Sequence, residues 1–213
     1  MLVVRKGDLM GAVGTKSELD ELFGILGAAD VRGYIGEPVS QLEHAMQCAH
    51  FMRLSGGSDV EITAALLHDI GHLLPDSAPE MGELGVRNHE RQGAAYLESS
   101  GFPVAVTALV AGHVDAKRYL AATDPRYAAE LSQASQNTLV WQGGLMEAEE
   151  CDRFARCENF ESLLLLRRCD EAAKVPGFDC GVLATYRPLL ERLLADSPWN
   201  PIGAGLAALA MAL

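Results

Sequence analysis

Paired cysteines, a strand-like alternation, a membrane-length apolar run and a surplus of positive charge are all missing from this chain of 213 residues. The five cysteines are Cys48, Cys151, Cys157, Cys169 and Cys180, and no two form a CxxC. An odd number without that spacing argues for reduced thiols and a cytoplasmic setting, and against a disulfide frame or a thiolate zinc site. The first residues, Met1 to Gly7, lack the apolar core of a signal peptide. The stretch from Ile202 to Leu213 is apolar but too short to span a bilayer. It is expected to pack on the domain or on a partner subunit. Lys and Arg number 17 against 29 Asp and Glu, a formal net charge of -12. That balance disfavours nucleic acid and anionic membranes as partners. An anionic substrate must meet a local basic patch that opposes the global field.

With 49% hydrophobic and 22% charged residues, the chain has the composition of a globular protein long enough to bury a full core. The simplest expectation is one domain over 1–213. The periodicity is helical almost throughout. Leu19, Leu22, Phe23 and Leu26 follow helical spacing, and Val39 to Leu54 reads as a helix entered through Gly36-Glu37-Pro38. Ser58 and Glu61 form a capping box ahead of a helix ending near His72. Asn88 to Ser99, Val104 to about His113, Glu158 to Ala173 and Gly181 to Ala195 read as further helices, with Pro103 suited to a first turn. Two segments read as loops, Leu74 to Arg87 and Trp141 to Gly144. Each is a candidate ligand-binding segment or a plain surface excursion.

The chemistry is concentrated in six histidines: His44, His50, His68, His72, His89 and His113. A single histidine on a helical face is usually a structural residue. The run Leu66-Leu67-His68-Asp69-Ile70-Gly71-His72 is different, because adjacent His and Asp bring a nitrogen and a carboxylate to one metal. A carboxylate can also bridge two. His68 and His72 at i, i+4 are expected to share a helical face. Gly71 between them permits close approach of backbone or ligand. Imidazoles and carboxylates without thiolate suit iron, manganese or zinc. Spacing alone does not choose between hydrolysis and oxygenation.

His44, His68-Asp69 and the late Asp170 together resemble the HD-domain superfamily, an all-α helical bundle containing many metal-dependent phosphohydrolases. A longer set is sharper. It comprises Tyr34-Ile35-Gly36-Glu37, Gln41 to His44, Leu66 to His72, His89-Glu90, Gly112-His113, Ala116 to Leu120, Ser135, Thr138, Gln142 to Gly144, Asp170-Glu171 and Lys174 to Gly177. In this order they resemble the diiron HD-domain oxygenases that cleave the carbon–phosphorus bond of 2-amino-1-hydroxyethylphosphonate or its trimethylammonio analogue. The likeness covers about residues 30–180.

The resemblance implies two iron ions, a mixed-valent Fe(II)/Fe(III) pair. One would be held by His44, His68, Asp69 and Asp170, the other by Asp69, His89 and His113, with Asp69 as the bridge. His72 would lie near the substrate and the open metal positions, or hydrogen-bond behind a ligand. Lys117, Ser135, Thr138 and Arg167 would hold the phosphonate, whose oxygens want charge-assisted donors. Tyr34 would occupy an iron position while the site is empty of substrate, and Glu37 would meet the substrate's cationic nitrogen. Trp141 is a weak candidate for an aromatic cage. Arg118 and Arg168 read as solvated helix-face residues, and His50 as structural. Cys169 stands where the family has a bulky aromatic, which either widens the pocket or belongs to the core.

The implied reaction uses O2 and releases phosphate with glycine or glycine betaine from a small organophosphonate. The residues leave the amine substituent and the oligomeric state open. Alternatives are a phosphohydrolase of the same superfamily, a hydroxylase acting one step earlier, and a non-catalytic ligand sensor.

Overall fold

The computed structural model describes residues 18–34, 36–75, 81 and 84–197. The described residues are mainly helical, with no strand among them beyond isolated bridge residues such as the Gly33–Ser40 pair. A first helix, α1, covers residues 18–28 and is followed by the short 3-10 turn Ala29–Val31. Then come α2 (Gln41–Leu54), α3 (Asp59–Leu67), α4 (His89–Ser99), α5 (Val104–Thr123), α6 (Pro125–Glu130) and α7 (Gln133–Trp141). The last three are α8 (Ala148–Phe154), α9 (Phe160–Ala172) and α10 (Arg187–Ala195). No helix among the described residues is long and apolar enough to cross a membrane. The expectations for Ile202–Leu213 and for half of the Leu74–Arg87 loop lie outside the described residues.

Local sequence explains where the helices begin. Ser40 accepts from the Glu43 N–H at 3.1 Å, and the Glu43 carboxylate accepts from the Ser40 N–H at 2.6 Å. The Ser58–Glu61 capping box expected from the sequence starts α3 in the same way. Asn88 takes a left-handed conformation, φ 57°, directly before α4. Asn tolerates that region better than most residues, and the turn sets His89 as the first residue of its helix.

Three expectations need correction. The helix expected from Gly181 begins only at Arg187, after a 3-10 turn at Leu183–Tyr186. The helix from Ser58 does not continue to His72. It ends at Leu67, and Ile70–His72 forms a tighter 3-10 turn. His68 and His72 therefore do not share one α-helical face. The helix from Val104 runs on past His113 to Thr123, because Val114, Ala116, Leu120 and Ala121 keep burying an apolar face. It stops where Asp124 caps the next helix, with Pro125 at its first turn.

The core runs between α2, α3, α4, α5 and α9. Met52, Leu66, Leu67, Leu97, Val110 and Leu166 are all at or below 1% exposure. Each buried leucine contributes about 1.5–3 kcal/mol, which offsets the cost of burying polar groups beside it. Those polar groups follow the core residues directly in sequence. His68 succeeds Leu66-Leu67, and Arg167 succeeds Leu166.

Close approach between segments depends on Gly71. A Cβ there would lie 2.0 Å from the His89 carbonyl oxygen and 3.0 Å from the Gly93 nitrogen. The freedom foreseen at Gly71 thus serves backbone contact with α4, which brings the turn carrying Asp69 against the start of the helix carrying His89.

Candidate metal centre

Five segments deliver one side chain or two each to a buried cluster. His44 comes from the first turn of α2, His68 and Asp69 from the end of α3, His89 from the start of α4, His113 from α5 and Asp170 from the last turn of α9. The Nε2 atoms of His44 and His68 are 3.2 Å apart, and those of His89 and His113 are 3.1 Å apart. Asp69 lies between the pairs. Its Oδ2 is 3.8 Å from His44 Nε2 and 3.4 Å from His68 Nε2. Its Oδ1 is 3.2 Å from His89 Nε2 and 3.5 Å from His113 Nε2. Asp170 joins only the first pair, at 3.4 Å from His44 and 3.7 Å from His68.

The tautomers follow from the partners. His44 Nδ1 donates to the Ala173 carbonyl at 2.8 Å, His68 Nδ1 to Ala65 at 2.9 Å, His89 Nδ1 to Val86 at 3.3 Å and His113 Nδ1 to Val110 at 2.7 Å. A carbonyl only accepts, so each Nδ1 carries the proton. In the neutral rings all four Nε2 lone pairs then face inward, toward one another and toward carboxylate oxygens. Asp170 Oδ1 is buried with no hydrogen-bond donor. Such a set repels itself unless a cation lies at each focus, and fixed Nδ1–H donors are the usual support for a metal-binding imidazole. The ionisation tendencies agree. Burial opposes charge on Asp69, but His68 and the hydrogen bonds of His113, His68 and His89 hold its carboxyl well below the usual range. Burial opposes the His68 imidazolium, yet Asp69, Cys48 and Asp170 push it well above its ordinary value. The cluster demands positive charge. Two groups can each hold a metal ion, His44–His68–Asp69 and Asp69–His89–His113.

His72 is built the other way round. Its Nδ1 accepts from the Val86 N–H at 3.0 Å, so the neutral ring carries its proton on Nε2. Burial and then the His89 charge keep it well below its ordinary pKa, hence neutral. Its ring stacks on His89 at 3.9 Å. Tyr34 stacks on His44 at 3.8 Å. Burial, then the charges of Asp69 and Asp170, push its phenol well above 10.

A cavity of ≈ 420 Å³, counting its open mouth, leads from this cluster to solvent. Tyr34, Glu37, Asp69, His72, Lys117, Ser135, Thr138, Arg167 and Asp170 all line it. Lys117 donates to Thr138 Oγ1 at 3.0 Å. Burial, then the Arg167 charge, push its ammonium down to about 7. Arg167 is held from every side. Its Nε donates to Tyr127 Oη at 2.5 Å, its Nη2 to Ser135 Oγ at 3.3 Å, and its remaining donors pair with Asp170 and Glu171. Burial opposes its charge, but Asp170, Tyr127 and Glu171 hold its pKa well above the ordinary guanidinium value.

Three residues carried no role in the sequence reading: Lys174, which lines the cavity, and Tyr127 and Glu171, which hold Arg167 from behind it. Tyr127 sits on α6, a short helix announced only by Asp124-Pro125, and meets Arg167 across 40 positions. No sequence signal joins them. Glu171 and Lys174 stood inside matched motifs, but their mutual contact needs the end of α9 to be seen folded.

Other expectations sort plainly. Trp141 is 55% exposed and lines a separate cavity, so it builds no cage at this one. The turn at Gln142–Gly144 is the C-terminal cap of α7, and Arg118 Nε donates to the Gly144 carbonyl at 3.1 Å. Arg118 is correspondingly not a solvated residue. It also pairs with Glu150 at 3.0 Å and Asp115 at 3.2 Å. Arg168 does lie on the surface, 3.5 Å from Asp124. Cys169 is buried in the core and does not line the cavity. His50 packs edge-on to Phe51 and Phe178, away from the cluster.

Comparison with known proteins gives the arrangement its family. The HD domain model matches residues 42–140, from α2 through α7. The chain is 39% identical to the [1-hydroxy-2-(trimethylamino)ethyl]phosphonate dioxygenase (glycine-betaine-forming) of Leisingera caerulea, over 79% of this chain and 87% of that protein. The chain belongs to the HD-domain family. Within it, a second relative is the hydroxymethylphosphonate dioxygenase of Gimesia maris, 40% identical over 78% of this chain and 83% of that protein. An uncharacterised protein of Acanthamoeba polyphaga mimivirus is 38% identical over 78% of this chain and 77% of its own length.

Proposed function

We propose that this HD-domain protein is an O2-dependent phosphonate dioxygenase that would hold a mixed-valent Fe(II)/Fe(III) pair of iron ions. One observation carries the reading. The two oxygens of Asp69 each face a separate pair of imidazoles, all four with Nε2 aimed inward. Two dioxygenases at 39% and 40% identity support the choice of chemistry. His44, His68, Asp69 and Asp170 would hold one iron, and Asp69, His89 and His113 the other. An iron pair with open positions supplies the oxygen and one-electron chemistry that side chains lack.

The substrate is a small 1-hydroxyphosphonate, with 2-amino- and 2-trimethylammonio-1-hydroxyethylphosphonate the leading members. The net reaction balances without a reductant. R–CH(OH)–PO3(2−) and O2 give R–COO(−), HPO4(2−) and one proton, and glycine or glycine betaine is the carboxylate. The side chains bind and orient. Lys117, Thr138, Ser135 and Arg167 supply charge-assisted donors to the phosphonate oxygens. His72 presents an Nε2–H donor to the cavity and, having given its other nitrogen to Val86, does not compete for metal. Tyr34 covers the His44 side of the site. Glu37 faces the carbon end of the substrate.

Iron and ascorbate loading without oxygen, followed by 1-hydroxyphosphonate with and without O2, tests the reading. Phosphate is expected only with oxygen. Equal phosphate without oxygen would replace the oxygenase by a hydrolase.

A further inference from the structure

At the mouth of the cavity Lys174 lies among four acceptors. Its Nζ is 2.7 Å from Glu171 Oε1 and 3.0 Å from both Ser132 Oγ and Ser135 Oγ, while Glu37 Oε1 is 3.3 Å away. An ammonium has three hydrogens. The three nearer acceptors take them. Glu37 Oε1 is left buried without any hydrogen-bond donor, on a side chain only 10% exposed. Glu37 has a counter-ion in Lys174, shared with Glu171, yet its Oε1 has no donor.

Those two needs are separable, and substrates can meet them separately. We propose that Lys174 makes the carbon end of this pocket select for an N–H or O–H donor rather than for positive charge. The proposal rests on the 1-hydroxyphosphonate reading. A donor at Glu37 Oε1 fills a buried orphan, which is costly to leave empty. A second positive charge gains little there, because the Lys174 ammonium is already the counter-ion of the carboxylate and repels another cation. A quaternary nitrogen brings charge and no donor. Nor, among the described residues, does the cavity enclose it in aromatic faces. The Tyr34 ring lies against His44, and Trp141 lines the other cavity.

Four 1-hydroxyphosphonates separate charge from donation. The 2-amino-1-hydroxyethyl compound has both and 1,2-dihydroxyethylphosphonate has the donor alone. The trimethylammonio compound has the charge alone, and hydroxymethylphosphonate has neither. Each is titrated calorimetrically into the iron-loaded full chain without oxygen, with phosphate release measured in parallel once oxygen is admitted. The amino and dihydroxy compounds are expected to bind at least about tenfold more tightly than the trimethylammonio compound. Lys174→Met removes the internal charge, and the trimethylammonio compound should then gain at least about tenfold relative to the dihydroxy one. Glu37→Gln keeps the shape and removes one of the two carboxylates beside Lys174, making this end of the pocket more positive by one charge, so both cationic compounds should weaken relative to the dihydroxy one. This second variant carries the test if Lys174→Met melts early. Trimethylammonio binding as tight as dihydroxy binding in the unmodified protein, or an unchanged ranking in the variants, overturns the proposal. Failure of the oxygenase reading looks different. No compound of the series would then bind or yield phosphate, and the proposal would fall with it.

Discussion

The two halves of this cavity treat their polar groups in opposite ways. Around Asp69, every imidazole spends its outer nitrogen on a backbone carbonyl and leaves the inner one without a compatible partner. Around Arg167, the groups satisfy each other, with Tyr127, Ser135, Asp170, Glu171 and Lys174 in one connected network. The first half is organised for something absent from the polypeptide. In the second, Glu37 Oε1 apart, the groups already pair with one another, and a phosphonate must trade partners to enter it. Asp170 belongs to both, giving Oδ2 to Arg167 and leaving Oδ1 toward His44. Metal affinity and anion binding are thereby expected to respond to different substitutions.

The sharpest break in that contrast is Asp69→Ala. It removes the one carboxylate facing both imidazole pairs, so iron content should fall at both positions. Activity should drop by more than the roughly 10–100-fold that follows loss of an outer partner. Metal analysis that still finds two irons per chain would sink the bridging role.

Next in size is Gly71→Ala. The added Cβ meets the His89 carbonyl oxygen at 2.0 Å, which is backbone and cannot swing aside. Overpacking of this kind costs about 1–3 kcal/mol or more. Thermal melting should fall, and iron binding should weaken because Asp69 and His89 are pushed apart.

Tyr127→Phe probes the other half. It deletes the acceptor of the Arg167 Nε–H and leaves a buried donor unpaired, a cost of about 1–3 kcal/mol. KM for the phosphonate should rise while iron content stays at its normal level. A fall in iron with unchanged KM would erase the distinction between the halves.

The smallest effect is a pH slope. Lys117 in the empty pocket titrates at about 7, and a bound phosphonate anion favours its charged form. Binding therefore takes up a proton above that value. Lys117-dependent affinity is full below about pH 7 and should decline by up to about tenfold per pH unit above it. Lys117→Met, measured across the same range, should lack that part of the slope, and the substrate's own ionisation cancels in the difference.

Much of the site could be read before folding, and for an identifiable reason. His44, His68-Asp69, His89, His113 and Asp170 carry residue types whose chemistry is narrow, in an order matched by a known family. The cap signals at Ser40, Ser58 and Pro103 are local, so they also could be read. Helices α6, α7 and α8 were not foreseen, because they are short and rest on neighbours rather than on strong periodicity. The solvated role assigned to Arg118 failed because Glu150 is 32 positions away.

Sequence alone determined that the chain is helical, that it belongs with the HD-domain phosphonate oxygenases in pattern, and which side chains gather at its centre. Those properties reside in periodicity, capping and residue chemistry, all of which are local or ordered along the chain. Only the tertiary structure decided how each group is used. It ended α3 at Leu67 so that His68 and His72 face different tasks with opposite tautomers. It also set Lys174 near enough to Glu37 to serve as its counter-ion but spent its hydrogens elsewhere. Tautomers and counter-ions depend on which backbone groups and distant side chains arrive within about 3 Å, and that is fixed by packing.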